Sequence, residues 1–72
     1  HEYLRELIQR LPEQQRQVLM MRHYEEMSFQ EIADATGVSI NTALGRMRYA
    51  LINLRKQLGK RSVSYDTNLY PR

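Results

Sequence analysis

His23, Glu25 and Glu26 form the densest cluster of side chains that could transfer protons in this sequence. Acid–base catalysis needs such groups to converge on one reacting atom. Adjacent residues on a helix or a turn do not converge in this way. No glycine-rich phosphate loop and no nucleophile elbow accompanies the cluster. The sequence therefore predicts that the chain is not an enzyme, and we assign no catalytic residue.

Metal and cofactor chemistry has no better candidates in the sequence. The chain contains no cysteine, which excludes disulfides, thiolate nucleophiles and thiolate metal sites. His1 and His23 lie too far apart in the sequence to suggest a local pair of metal ligands. We therefore predict neither a metal nor a cofactor.

Binding to a polyanion is the chemistry that the C-terminal half supports. Residues 1–36 contain four basic and seven acidic side chains, a net charge of −3, whereas residues 37–72 contain seven basic and one acidic, a net charge of +6. A basic half with an acidic half turned away suits nucleic-acid binding. The same charges also fit a solvated helix face followed by a basic tail, so charge alone leaves both interpretations open.

The length of 72 residues limits the chain to one small domain. Its composition, 42% hydrophobic and 26% charged, is typical of a folded soluble domain. No apolar stretch approaches the roughly 18 residues that a membrane span requires, and no signal-peptide pattern opens the chain. We expect a cytoplasmic protein without membrane insertion. Because the chain begins at His1 instead of a methionine, we also expect it to be a fragment of a longer protein.

Apolar periodicity predicts an all-α fold of four helices. The predicted helices cover residues 3–11, 12–24, 29–36 and 40–58. Pro12 can open the second helix because its missing N–H costs nothing there. Ser28 and Glu31 have the spacing of a capping box at the start of the third helix. Gly37 is suited to end that helix in the left-handed conformation, and Gly59 is expected to end the fourth.

The fourth predicted helix separates an apolar sector from a polar, cationic face. The apolar sector contains Ile40, Ala43, Leu44, Met47, Ala50, Leu51, Leu54 and Leu58. The opposite face contains Asn41, Gly45, Arg48, Tyr49, Ile52, Asn53 and Lys56, with Arg46 and Arg55 near its margins. We predict that residues 1–58 form the domain and that residues 59–72 form a flexible, polar, basic tail.

The third and fourth predicted helices have the spacing of a helix-turn-helix. Ala33 is small enough to let two helices cross closely, Gly37 permits the tight turn, Val38 fills the corner and Ser39 can cap the second helix. In this motif the N-terminal half of the second helix presents polar residues to the major groove of DNA. The fourth helix is therefore the candidate recognition helix.

Several side chains on its polar face could contact DNA. Asn41 can reach base edges or phosphate, and Arg48 has donors suited to guanine or phosphate. Gly45 has no side chain to keep the helix backbone away from DNA. Tyr49 fits either stacking on the sugar–phosphate backbone or shielding of the helix. Arg46 fits either a DNA contact or a pair with an acidic residue such as Asp34.

Three segments together resemble region 4 of sigma-70 family factors of the extracytoplasmic-function type. They are residues 11–16 (LPEQQR), 24–33 (YEEMSFQEIA) and 37–47 (GVSINTALGRM), and the resemblance covers residues 3–58. In that family region 4 is a four-helix domain, winged-helix-like but without a wing, whose last helix reads the −35 promoter element. Another of its surfaces holds the flap of the RNA polymerase β subunit. The resemblance therefore implies double-stranded promoter DNA, core RNA polymerase and an anti-sigma factor as partners.

Carried over residue by residue, the resemblance implies that Ser39, Thr42 and Arg46 lie near DNA. Arg48 occupies a position that often faces bases in the family. The complete set of candidate DNA contacts is Ser39, Asn41, Thr42, Gly45, Arg46, Arg48, Tyr49, Asn53, Arg55 and Lys56.

The chain departs from the family pattern at three positions on the recognition helix. The family commonly has a basic residue where Leu44 stands, a serine where Gly45 stands and an arginine where Tyr49 stands. Leu44 lies at the edge of the predicted apolar sector, where it can simply pack. We therefore expect a promoter preference different from the usual one and weak DNA binding by the isolated domain.

Two other functions remain as alternatives. The output domain of a dimeric regulator of the response-regulator type shares the four-helix arrangement and would read an inverted repeat. A protein-interaction module would use the cations of the fourth helix against an acidic partner, and the exposed Ile52 gives this hypothesis some support. Residues 11–12 and 24–27 favour the sigma-factor interpretation.

Overall fold

The computed structural model describes the backbone of residues 2–69 and the side chains of residues 2–59. Its helices are α1 (Glu2–Gln9), α2 (Glu13–His23), α3 (Phe29–Thr36) and α4 (Ile40–Leu69). This part of the chain contains no strand, so the predicted all-α class with four helices is confirmed. His1 and the last three residues of the predicted tail lie outside the described residues.

Helix α4 packs against each of the other three helices. The first core cluster joins it to α1 and α2, and its buried members are Leu7, Ile8, Leu11, Leu19, Ala50 and Leu54. The second joins it to α2 and α3, and its buried members are Val18, Ile32, Ala33 and Ala43. Met47 packs against both clusters and links them.

Small side chains allow α3 and α4 to lie close together. Ala33 is 1% exposed and Ala43 is fully buried, and both belong to the same cluster. Val38, in the turn between the two helices, packs against this cluster. The predicted helix-turn-helix, with a small residue at the crossing and an apolar residue at the corner, is therefore present in the fold.

Local hydrogen bonds define both ends of α3 as predicted. The Ser28 hydroxyl accepts a hydrogen bond of 3.0 Å from the N–H of Glu31. The Glu31 carboxylate in return accepts one of 2.7 Å from the N–H of Ser28, which completes the capping box. At the other end Gly37 has a φ of 71°, and its N–H donates to the carbonyl of Ala33. A left-handed residue here turns the chain sharply toward α4.

The loop between α2 and α3 is held from the preceding helix. The Arg22 guanidinium donates a hydrogen bond of 2.9 Å to the carbonyl of Met27 and lies 4.7 Å from the centre of the Phe29 ring. Within this loop Glu26 has a φ of 56°, a left-handed conformation that non-glycine residues seldom adopt. The contacts of Arg22 with Met27 and Phe29 therefore hold the end of the loop, and the start of α3, against α2.

The prediction that Gly59 ends the fourth helix is wrong, because α4 continues to Leu69. A glycine inside a helix costs only about 1 kcal/mol relative to alanine, so it need not stop the helix. Gly59 also lacks the positive φ that ends α3 at Gly37, so the chain continues as a helix there. Despite the length of α4, no helix among the described residues is apolar enough over a sufficient length to cross a lipid bilayer.

The apolar sector of α4 is narrower than periodicity predicted. Four of its members stay largely exposed: Ile40 (39%), Leu44 (42%), Leu51 (45%) and Leu58 (42%). Leu44 and Leu51 each follow a buried alanine and so lie about 100° around the helix from it. The shorter helices α1, α2 and α3 do not reach far enough around α4 to cover them.

Replacing Ser28 with alanine removes the hydroxyl that caps α3. We expect the free energy of unfolding to fall by about 1 kcal/mol, the usual effect of losing an N-cap side chain. Urea unfolding followed by circular dichroism measures this change. Gln30→Ala is the matched control, since Gln30 is exposed on the same helix and bonds only Asp34. An equal loss in the two variants would contradict the role assigned to the cap.

Candidate nucleic-acid interface

One side of α4 stays accessible after the four helices have packed. We call it the outer face, and its residues are Asn41, Leu44, Gly45, Arg48, Tyr49, Ile52, Arg55 and Lys56. Each of them is exposed or half-buried, whereas Ala43 and Ala50 on the other side of the helix are fully buried. Six of the ten predicted contact residues lie on this face. Compared with the predicted polar face, the outer face adds Leu44 and Arg55, which was predicted near the margin, and it omits Asn53.

The first turn of α4 presents polar groups at the N-terminal edge of the outer face. The Ser39 hydroxyl accepts a hydrogen bond of 3.1 Å from the N–H of Thr42 and donates one of 3.0 Å to the Thr42 hydroxyl. The predicted Ser39 cap is therefore present, and both residues are exposed. The N-terminus of a helix has a partial positive charge, which favours anionic oxygen atoms at this position.

A shallow groove of ≈ 530 Å³ runs along the outer face where α3 meets α4. We call it the outer groove, and its lining residues are Phe29, Leu44, Met47, Arg48, Leu51, Ile52 and Arg55. Arg48 and Arg55 lie seven residues apart and so point to the same side of the helix. Neither has a hydrogen bond or ion pair among the described residues. Both guanidinium groups are therefore available for phosphate or guanine.

Asn53 does not share the outer face, and this placement corrects the sequence analysis. Its amide nitrogen donates a hydrogen bond of 2.7 Å to the side-chain oxygen of Gln15, on α2. The bond is partly buried and joins residues 38 positions apart, so no local pattern could have indicated it. Asn53 holds α4 against α2, and we leave it out of the proposed DNA contacts.

Arg46 and Tyr49 were each open to two interpretations. Arg46 is half-buried and makes no ion pair with Asp34 in the described part of the chain. Asp34 instead accepts a hydrogen bond of 3.0 Å from Gln30. Tyr49 is 59% exposed, so its ring is free to stack on a ligand and covers little of the helix.

Sequence reasoning missed three members of the outer groove, Phe29, Leu44 and Leu51. Leu44 was assigned to the core but is 42% exposed on the outer face. Phe29 comes from α3, and its ring is held at the groove by the Arg22 guanidinium. The basic residue that the resemblance places at the position of Leu44 was a signal that could have revealed its exposure.

Metal-binding residue types are not grouped in the part of the chain that the structure describes. No group of three His, Asp or Glu side chains in this part of the chain could hold a metal ion. The His23 ring packs edge-on against Tyr24, with ring centres 5.0 Å apart. The outer face, in contrast, offers hydrogen-bond donors, positive charge and exposed apolar surface.

This arrangement, a capped helix-turn-helix whose second helix has an accessible cationic face, defines the class of helix-turn-helix DNA-binding domains. Comparison with known proteins is consistent with this class and narrows it. The family described as Sigma-70, region 4, matches residues 1–51. The RNA polymerase sigma-E factor of Streptomyces avermitilis is 37% identical over 60 residues, which cover 83% of this chain and 34% of the relative.

Two further relatives support the same assignment. The RNA polymerase sigma-E factor of Streptomyces antibioticus is 40% identical over 53 residues, 74% of this chain and 29% of the relative. The RNA polymerase sigma factor SigV of Bacillus subtilis is 34% identical over 61 residues, 85% of this chain and 37% of the relative. No solved structure matches the chain significantly.

The chain belongs to the sigma-70 family, in which it is a region 4 domain of the extracytoplasmic-function type. The resemblance found in the sequence is therefore confirmed, and the domain is not an enzyme. The alternative of a dimeric regulator is not favoured. The chain spans about a third of the length of the curated relatives that it matches.

Gly45 allows a test of how closely the outer face approaches a ligand. A Cβ added at Gly45 or Gly59 would meet nothing within 4 Å, so packing within the protein demands neither glycine. We expect Gly45→Ala and Gly59→Ala each to stabilise the fold by up to about 1 kcal/mol, because alanine favours helix. Only Gly45→Ala should weaken binding to promoter DNA, because Gly45 lies in the N-terminal half of α4, whereas Gly59 lies fourteen residues, or about 21 Å, further along the helix.

The two variants are compared by thermal unfolding and by fluorescence anisotropy with labelled duplex DNA. Gly59→Ala is the matched control, since it makes the same change on the same helix. Undiminished DNA affinity in Gly45→Ala would contradict a close approach of the α4 backbone to DNA.

Proposed function

We propose that this chain is the promoter-reading module of an RNA polymerase sigma factor, which binds the −35 element through α4 and directs transcription initiation. The observation that supports this most directly is the outer face of α4, cationic and accessible next to a capped turn. A helix in this position presents its N-terminal half to the major groove. The module recognises sequence and performs no chemistry, and it acts in the cytoplasm together with RNA polymerase.

Each polar residue of the interface has a role that suits its position. Asn41 and Arg48 contact base edges, for which an amide and a guanidinium both have suitable geometry. Ser39 and Thr42, at the N-terminus of α4, contact phosphate. The remaining residues, Arg46, Tyr49, Arg55 and Lys56, contact the sugar–phosphate backbone. Gly45 allows the helix to approach the DNA closely.

Core RNA polymerase binds a different surface in this proposal. A second groove of ≈ 440 Å³ lies between α1 and α2 and is lined by Arg5, Ile8, Gln9, Met20 and Tyr24. It shares no residue with the outer groove, so polymerase and DNA can be bound together. Its lining is mainly apolar with Tyr24 48% exposed, which suits the β-subunit flap. An anti-sigma factor that covers the outer groove would block promoter recognition, and one that covers the second groove would block binding to polymerase.

Arg48→Ala tests the assignment of base contacts. If Arg48 reads a base, its loss should weaken binding to the preferred site by about 1–3 kcal/mol and relax specificity at one position. Binding-site selection from randomised duplex DNA at low salt, followed by titration of the selected site, measures both effects. Arg10→Ala removes one positive charge from an exposed position outside α4 and serves as the control.

One short, asymmetric site is the expected result of the selection, because a single copy of the domain reads it. Selection of an inverted repeat would point to a dimeric regulator. Unchanged affinity and unchanged specificity in Arg48→Ala would overturn the base contact. A change in affinity alone, with a log–log salt slope smaller by about 0.9, would identify a phosphate contact instead.

Tyr24→Ala tests the polymerase surface separately. An exposed tyrosine in an apolar groove is a typical hot spot, so its loss should cost at least about 1 kcal/mol of binding to a purified β-flap fragment. DNA affinity should not change, because Tyr24 lies outside α4. Tyr49→Ala is the reciprocal control and should weaken DNA binding while leaving flap binding intact. Isothermal titration calorimetry measures the affinity of each variant for the flap fragment and for DNA. Loss of both affinities in Tyr24→Ala, or of neither, would contradict a separate polymerase surface.

A further inference from the structure

Leu44 is an apolar side chain on the edge of the outer face that borders the buried side of α4. Its side chain is 42% exposed. Leu44 lies three residues after Asn41 and four residues before Arg48. Residues with these spacings are neighbours on one side of a helix. An accessible leucine therefore stands between the two side chains to which the proposed function assigns base contacts.

Packing within the described part of the protein does not account for this leucine. Leu44 belongs to neither core cluster, whereas Ala43 before it is fully buried. Leu44 instead forms part of the wall of the outer groove beside Phe29 and Arg48. An apolar side chain left in water forgoes the stabilisation that burial would provide, so a binding partner that covers it would gain from the contact.

The major groove of DNA offers one partner of matching chemistry. Every base pair displays hydrogen-bond donors and acceptors there, and unmodified DNA adds one apolar group, the C5-methyl group of thymine. Leucine has no hydrogen-bonding group, so it cannot read a donor or acceptor pattern, but it can pack against this methyl group. The contact discriminates thymine from cytosine at one position.

Resting on the proposed function, we infer that Leu44 is a specificity-determining residue that recognises the C5-methyl group of a thymine within the promoter element. Asn41 lies about 4.5 Å and Arg48 about 6 Å away along the helix axis, so the three side chains address neighbouring base pairs. Asn41 suits adenine, and Leu44 suits thymine. The site read by this chain is therefore expected to contain a T·A pair next to the pairs contacted by Asn41 and Arg48.

Uracil substitution tests the methyl contact without altering base pairing. In the duplex obtained by site selection, each thymine is replaced in turn by uracil, which removes only the methyl group. The Kd of the full chain for each duplex is then measured by fluorescence anisotropy. At one thymine we expect affinity to fall about fourfold, which corresponds to the roughly 0.8 kcal/mol typical of one buried methylene-sized group.

Two leucine variants locate the effect. In Leu44→Ala the affinity ratio between the thymine and uracil duplexes should fall to about one at that position. Leu58→Ala is a closely matched control, because Leu58 is also on α4 and is also 42% exposed. It lies fourteen residues, or about 21 Å, further along the helix and cannot reach the same base pair. The fourfold ratio should persist in that variant.

The outcomes separate this inference from the proposed function. Selection of a specific site with equal affinity for thymine and uracil at every position would overturn the role of Leu44 alone, and would leave the outer groove free for a protein partner. A thymine preference that persists in Leu44→Ala would also overturn it. Failure to select any site would overturn the proposed function and this inference together.

Discussion

The packing of α4 against all three other helices is the constraint on which the rest of the structure depends. One side of this helix completes both core clusters, and the other stays accessible. Alanine at positions 43 and 50 lets the neighbouring helices approach closely. The neighbouring helices cover only that side of α4, and the uncovered remainder is the outer face.

The orientation of that face depends on contacts remote from it. Arg22 reaches across the loop to Met27 and Phe29 and so holds the start of α3 against α2, while the capping box of Ser28 fixes the first turn of α3. Asn53 and Gln15 tie α4 to α2. A core of this size supplies only about 3–5 kcal/mol, so single polar contacts worth about 1 kcal/mol are a substantial fraction of the stability.

The departures from the family pattern all fall on the accessible side of α4. Leu44, Gly45 and Tyr49 replace residues that are commonly basic or polar, and the structure places each of them where a ligand can reach it. The domain therefore retains the scaffold of region 4 while presenting a surface with fewer charges and more apolar area. In the proposed complex this surface discriminates bases by methyl contact as well as by hydrogen bonding.

Local features of the fold were predictable because their causes lie within a few residues. The capping box at Ser28, the left-handed Gly37 and the Ser39 cap each depend on hydrogen bonds between residues three or four positions apart. The helix-turn-helix and its cationic second helix follow from these features together with apolar periodicity. The end of α4 was not predictable in the same way, because the local cost of Gly59 is too small to decide it.

The sequence by itself thus determined the four helices, the turn and the family. Only the tertiary structure decided which side chains are accessible: it exposes Leu44, turns Asn53 toward Gln15 and builds the outer groove from α3 as well as α4. The physical reason is that helical periodicity specifies the angle of a side chain around its own axis. How much of that circumference becomes buried depends on the length and position of neighbouring helices, which a local pattern does not contain.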